Sequence, residues 1–339
     1  MLDALEELIY HTLKLGHIDD ARDIYVYQIG GVEQLGWRLG QYGRCVRILE
    51  EFPDCPDIGG LIWCYRALGD LDAASRLIAP DDLWWLGMIG CLRGRLAEVA
   101  DLLSDSHNDP ILTICEVLTG RSNSQALRDA PVWPGLPISL GDAWLSIGEI
   151  EEAARAIQKS PQPAQRIEWN DEEARADLTL AEVARYQGEL DRCRALLDKA
   201  SQWIIRSGSQ EHLCRLHLAE TRLALDNGQL RDAATMLRQG LLTAQQCGFG
   251  LMHIDLLVES ARLALAKGRF DSAASAALSA LNGIGHDGRV QDNPNVNPDE
   301  LILLGALHPL CQYRSGADRA HACYRQAEKD LPRDHHIKS

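Results

Sequence analysis

The sequence predicts an all-α solenoid of stacked antiparallel helix hairpins. Three observations carry the prediction: a turn pattern that recurs around glycines, a spacing of 40 residues between its last three copies, and a composition suited to packed helices. The copies read "QGELDRCRALL" from Gln187, "NGQLRDAATML" from Asn227 and "KGRFDSAASAA" from Lys267.

Each turn glycine, Gly188, Gly228 or Gly268, is followed two residues on by a large apolar side chain (Leu190, Leu230, Phe270). Five residues on comes a small one (Cys193, Ala233, Ala273). Gly16, Gly69 and Gly148 fit the same pattern, with Ile18 and Ala21, Leu71 and Ala74, and Ile150 and Ala153; Gly40 and Gly94 fit more loosely. Glycine can end a helix at positive φ. The apolar residue then opens the next helix facing inward, and the small one lets the two helices approach closely. Upstream, Ala181 and Ala184, Thr221 and Ala224, and Ala261 and Ala264 form the matching flat face of the first helix. Such a hairpin cannot bury its apolar face alone, so neighbours stack.

The turn motif resembles that of tetratricopeptide repeats (TPR): glycine, any residue, leucine or aromatic, acidic, any residue, alanine. The resemblance implies a TPR-like solenoid whose first helices line a concave groove. The 40-residue period exceeds the family's usual length of about 34, which predicts longer helices. The early glycines at 16, 40, 69 and 94 lie only 24 to 29 residues apart and predict short, irregular hairpins, with Gly120 marking one more. The expected organisation is therefore a Trp-rich unit over 1–160, regular repeats over 161–332 with a polar loop at 283–296, and a disordered tail at 333–339.

Composition fits packed helices: 46% hydrophobic, 24% charged, three Phe and 13 Pro. Six of eight Trp lie at or before Trp144, and Trp63, Trp84, Trp85 and Trp144 are expected to fill the core. Two Pro-rich stretches, Asp129–Asp142 and Lys159–Asp171, interrupt the helices. The acidic amphipathic N-terminus is unlike a signal peptide, and the longest apolar run, Leu83–Leu92, is too short to span a bilayer. Ten Cys without a CxxC spacing, two of them (Cys45 and Cys193) standing in for the turn alanine, predict a reducing cytoplasm.

Catalytic motifs are missing: no phosphate-binding lysine loop, no GxGxxG, no GxSxG and no HExxH. No cofactor or stoichiometric metal is expected. If a metal were held, its ligands would come from His308, Cys311, His321 and Cys323 in the last hairpin. Net charge is −15, and residues 1–170 carry 14 Lys and Arg against 26 Asp and Glu. So acidic a chain argues against nucleic acid as a partner.

Equal offsets from the turn glycines place equivalent residues on successive first helices. Thirteen residues upstream lie Arg175, Arg215 and Asp255; six upstream lie Glu182, Arg222 and Arg262; three upstream lie Arg185, Leu225 and Leu265. Arg175, Arg215, Arg222 and Arg262 would form an arginine ladder, with Leu178, Leu218, Leu225 and Leu265 as the apolar part of the groove. Guanidinium groups suit carboxylates, so the expected partner is a protein or an acidic peptide. The alternative is that these arginines pair with Glu182, Glu220, Asp226 and Glu259 within the chain. On the first reading, reversing Arg222 and Arg262 to Glu removes partner binding and leaves the fold intact.

The segments Gln246–Leu281, Gly305–Glu328 and Asp19–Phe52 are similar to the C-terminal TPR arms of bacterial STAND-class signal-transduction NTPases. That resemblance implies a sensing module, often in phage defence, that binds a trigger protein. It leaves open a regulatory subunit that holds a separately encoded protease, nuclease or NTPase inactive. An enzyme with an unrecognised site is a third reading.

Overall fold

Glycine at positive φ stops the helices. In the computed structural model Gly16, Gly40, Gly69, Gly188, Gly228 and Gly268 have φ between 66° and 82°. The model describes residues 1–92, 96–104, 110–118, 121–123, 125–129, 141, 144–145, 149–158, 170–269, 272–273, 275–277 and 279–280. Gly94, Gly120, Gly148, Phe270, the polar loop, most of both Pro-rich stretches, the last hairpin and the tail lie outside the described residues. All regular structure among the described residues is helical, and the chain is an all-α helical solenoid.

The first hairpins are short. α1 (Leu2–Lys14) and α2 (Ile18–Asp23) flank Gly16, and α2 runs on into a π-helical turn, Ile24–Ile29. A second π-helical turn, Glu33–Arg38, and α3 (Tyr42–Glu50) flank Gly40. Next come α4 (Ile58–Leu68) and α5 (Leu71–Leu77), then α6 (Leu83–Leu92) and α7 (Leu96–Leu102). α8 (Pro110–Leu118), α9 (Gln125–Asp129) and α10 (Ile150–Gln158) complete this half. Asp57 and Asp70 cap α4 and α5, accepting from the Gly60 and Ala73 backbone N–H at 2.7 and 2.9 Å. Capping of this kind adds stability to these two short helices.

The later hairpins are long and regular: α11 (Asn170–Tyr186) with α12 (Leu190–Ser207), α13 (Gln210–Asp226) with α14 (Leu230–Cys247), and α15 (Gly250–Ala266) with helical residues between 272 and 280. The turns between hairpins also carry glycine, Gly208 at φ 74° and Gly248 at φ 73°. Glycine thus recurs every 20 residues from Gly188 to Gly268. The apolar residue opens each second helix as expected, at Ile18, Leu71, Ile150, Leu190 and Leu230. The small residues Ala21, Cys45, Ala74, Ala153, Cys193, Ala233 and Ala273 are all buried.

A second small position lies twelve residues past the turn glycine, at Ala200, Gly240 and Ala280, each buried. A Cβ on Gly240 would come 2.8 Å from Leu256 Cδ2 and 3.3 Å from His217 Cβ. At this position α14 leaves no room for a side chain between itself and residues of α13 and α15. In the first long hairpin the buried Asp177 carboxylate ties the two helices together. It accepts from Lys199 Nζ at 2.9 Å and from Trp203 Nε1 at 3.1 Å.

First helices pack directly on one another, α11 on α13 and α13 on α15, whereas the second helices α12 and α14 have no comparable contact. That asymmetry puts the first helices on the inner side of the curve. The N-terminal hairpins fold back onto the α13–α15 repeats and share their core. Tyr42 sits edge-on to Phe249 at 5.5 Å. Cys214, Leu218, Met252 and Leu256 join one cluster with Leu35, Cys45, Leu49 and Cys64. Gly40 is buried against Cys247, where a Cβ would clash with the thiol sulfur. No helix among the described residues is long and apolar enough to cross a membrane.

The turn alanines give a direct check. Ala233 is fully buried, so Ala233→Leu should cost about 1–3 kcal/mol by overpacking. Gln239→Leu, at an exposed position of the same helix, should leave the thermal midpoint almost unchanged. Circular dichroism melts of both variants measure the contrast.

Candidate interaction surface

Arg185, Arg222 and Arg262 meet across three first helices, and their charges are matched there by carboxylates of the same helices. Arg185 pairs with Glu182 at 2.9 Å and with Asp226 of α13 at 2.8 Å. Arg262 of α15 pairs with the same Asp226 at 3.7 Å and with Glu259 at 2.9 Å. Arg222 of α13 closes the circuit, to Glu259 at 2.8 Å and back to Glu182 at 3.6 Å. Three guanidinium groups and three carboxylates alternate in a ring spanning α11, α13 and α15. Their formal charges cancel.

Burial makes this ring structural. The Glu259 side chain is 2% exposed. Burial opposes the charged form of Glu182, but Arg222 and Arg185 outweigh it and hold the carboxyl below its ordinary range. Burial likewise disfavours the charged Arg185, and Glu182 and Asp226 more than restore it, raising its pKa. The stated alternative, pairing within the chain, therefore describes Arg185, Arg222 and Arg262. The expectation that Arg222→Glu with Arg262→Glu leaves the fold intact is overturned, because the new carboxylates would face Glu182, Asp226 and Glu259.

The thirteenth-residue row forms a second cluster. Arg215 pairs with Glu211 at 2.9 Å, and Arg66 reaches in from α4 to the same carboxylate at 3.8 Å. Arg175 and Arg215 both lie close enough to Arg66 to disfavour its charged form, after burial itself and against the pull of Glu211. Burial also opposes ionisation of Glu211, yet Arg66, Arg215 and His212 hold its carboxyl down to about 2. Asp255, the third member of the row, is half-buried.

The leucines divide. Leu225 and Leu265 are half-buried at the margin of the core. Leu178 and Leu218 are each 7% exposed and belong to the packed core. Their expected place in a groove is corrected: ten residues before the turn glycine, a side chain points between the helix layers. His308, Cys311, His321 and Cys323 lie outside the described residues. Among the described residues no group of three or more His, Cys, Asp or Glu side chains could hold a metal ion.

A second surface went unrecognised in the sequence. Trp144 fills the core as expected, at 2% exposure. Trp63 and Trp85 are half-buried and pack against the core, and with the exposed Trp84 they join Trp37 in a ladder of edge-to-face contacts, with centroids 6.1 Å apart for Trp37–Trp63, 6.3 Å for Trp63–Trp85 and 4.7 Å for Trp84–Trp85. Trp37 is 39% and Trp84 48% exposed. Adjacent residues on a helix point about 100° apart, so Trp84 and Trp85 cannot both enter one core. The signal available was position: Trp37, Trp63 and Trp85 all precede turn glycines, which assigns them to first helices.

Two outcomes test the charge clusters. Glu259→Ala removes a buried carboxylate shared by two arginines and should destabilise the chain by about 3–5 kcal/mol, read by urea unfolding. Glu211 is held from 4.5 down to about 2, a shift worth about 3 kcal/mol at most. Because the folded-state value is the lower one, this stabilisation is complete above pH ~4.5 and is lost as pH falls toward ~2. Glu211→Gln should lower the melting midpoint at neutral pH and flatten its decline across that acid window.

No family model matches the chain, and no curated protein matches it. Among solved structures the chain is similar to the crystal structure of BtubC (BKLC) from P. vanneervenii, with 14% identity over 83% of this chain and 94% of that one, at a TM-score of 0.39.

Proposed function

We propose that the chain is a non-catalytic docking module that binds a protein partner along the face made by its first helices. One observation carries this reading: ion pairs join α11 to α13 and α13 to α15 directly, so the first helices of three repeats meet along one face. Such a surface matches an extended or helical segment better than a small molecule. The finer assignment is a TPR-type arm resembling those of STAND-class NTPases, serving as a sensor in bacterial signalling or phage defence. It is supported by the likeness of Asp19–Phe52 and Gln246–Leu281 to those arms.

Within that face the ring of Glu182, Arg185, Arg222, Asp226, Glu259 and Arg262 maintains the stack. An acidic or carboxylate-bearing segment of the partner is assigned to the opposite end, where Arg66 and Arg215 pair with Glu211 and Arg175 lies near Arg66. Planar guanidinium groups there can bind a second carboxylate in bidentate fashion.

Cross-linking mass spectrometry on complexes captured from the encoding organism tests the reading. Cross-links are expected on α11, α13 and α15. Capture should weaken with salt and fall about tenfold or more in Arg175→Glu, as loss of one charge-assisted contact predicts. Cross-links confined to α12 and α14 would overturn it.

A further inference from the structure

We propose that the ladder of Trp37, Trp63, Trp85 and Trp84 is a docking site for a basic, arginine-bearing segment of a partner protein. The proposal rests on the docking-module reading and adds a second site of opposite charge preference. Three successive first helices of the N-terminal half supply the indoles, so the ladder runs across hairpins as an extended ligand would. Its two ends, Trp37 and Trp84, are the exposed members. Tryptophan exposed in a row offers π-faces and edges with little conformational entropy left to lose.

Charge selects the occupant. Residues 1–92 carry 7 Lys and Arg against 15 Asp and Glu, a net of −8, whereas residues 171–269 carry 13 against 14, a net of −1. Carboxylates stand beside the indoles. A Cβ on Gly59 would lie 3.9 Å from both Asp57 Oδ1 and Trp85 Cζ2, so that carboxylate and that ring flank one spot. Asp82 accepts from the Trp85 backbone N–H at 3.3 Å, and Asp81 beside it is exposed. Negative potential over aromatic faces attracts a guanidinium.

The chain already makes this contact with itself. The Arg66 guanidinium lies 4.4 Å from the Trp63 ring centroid, with its charge matched by Glu211. Partner arginines at Trp37 and Trp84 would repeat that arrangement at the exposed ends. An acidic segment would meet Asp57, Asp81 and Asp82 and be repelled.

The test uses the full chain and three fluorescein-labelled peptides of alternating Gly–Arg, Gly–Glu and Gly–Ser, followed by fluorescence anisotropy. The Gly–Arg peptide should bind more tightly than Gly–Ser, and its binding alone should depend on the indoles. Trp37→Ala with Trp84→Ala should weaken it about tenfold or more, since each exposed cation–π contact is worth about 0.5–1 kcal/mol and more when desolvated. Trp37→Phe with Trp84→Phe should recover part of the loss, which a purely structural role for the indoles would not produce. Gly–Arg binding undiminished in the alanine pair would overturn the proposal by reducing it to net charge, and so would Gly–Glu binding that falls by as much as Gly–Arg binding in that pair. Failure of all three peptides to bind the unaltered chain would count against the docking-module reading as well. Binding that persists without regard to the indoles counts against this site alone.

Discussion

Close approach of helices at two small positions is the constraint from which the long repeats follow. Five residues past the turn glycine stand Cys193, Ala233 and Ala273, and twelve past it stand Ala200, Gly240 and Ala280. A larger side chain at either position would separate the layers by more than the surrounding leucines could fill, leaving voids whose lining loses its dispersion partners. Because glycine recurs every 20 residues, the same two positions meet in each successive hairpin. The register of one repeat is thereby imposed on the next. Every charged residue on a first helix then acquires fixed neighbours on the helices beside it.

The ion-pair ring is a consequence of that register. Glu182, Arg222 and Arg262 hold the same offset from their glycines, so stacking alone would align them. Arg185, Asp226 and Glu259, on neighbouring turns, supply the alternating charges. Desolvating so many charges offsets much of their attraction, and an intact buried pair can be nearly neutral in stability. A slipped stack would leave several charges buried without a counter-ion, which costs far more. The ring therefore discriminates between registers more than it adds to stability. It also commits Arg222 and Arg262 of the expected arginine ladder to structural work.

What could be read from sequence divides along the same line. The repeat was legible because glycine, a large apolar residue and a small one recur at fixed offsets, and each offset has a local steric cause. Gly208 and Gly248 were legible too but were passed over, since the turns between hairpins lack the small residue that marks the turns within them. That Arg222 and Arg262 share a face follows from helical periodicity, whereas their pairing depends on lateral stacking distance, which no local pattern encodes. The contact of Arg66 with Glu211 joins two distant stretches of chain through the fold-back of the N-terminal hairpins. Neither residue carries a local signature of it. Of the tryptophans expected in the core only Trp84 is exposed, and it was misread because aromatic residues in an apolar helix usually signal core. α6 is apolar around most of its circumference, and two layers of short helices cannot cover all of it.

The two halves thus furnish the faces of their first helices in different ways. Long helices offer enough turns to place a carboxylate opposite each guanidinium, so their face is internally matched and close to neutral. Helices of two or three turns offer too few positions for such a network. Their first helices carry a row of indoles instead, with aspartates at the helix starts that serve as caps. A cap carboxylate spends part of its hydrogen-bonding capacity on backbone N–H groups and keeps its negative charge. The N-terminal face consequently combines exposed aromatic area with uncompensated negative charge. Binding energy is gained where a surface's potential is not already satisfied from within, and in this chain that condition is met at the tryptophans rather than along the ring.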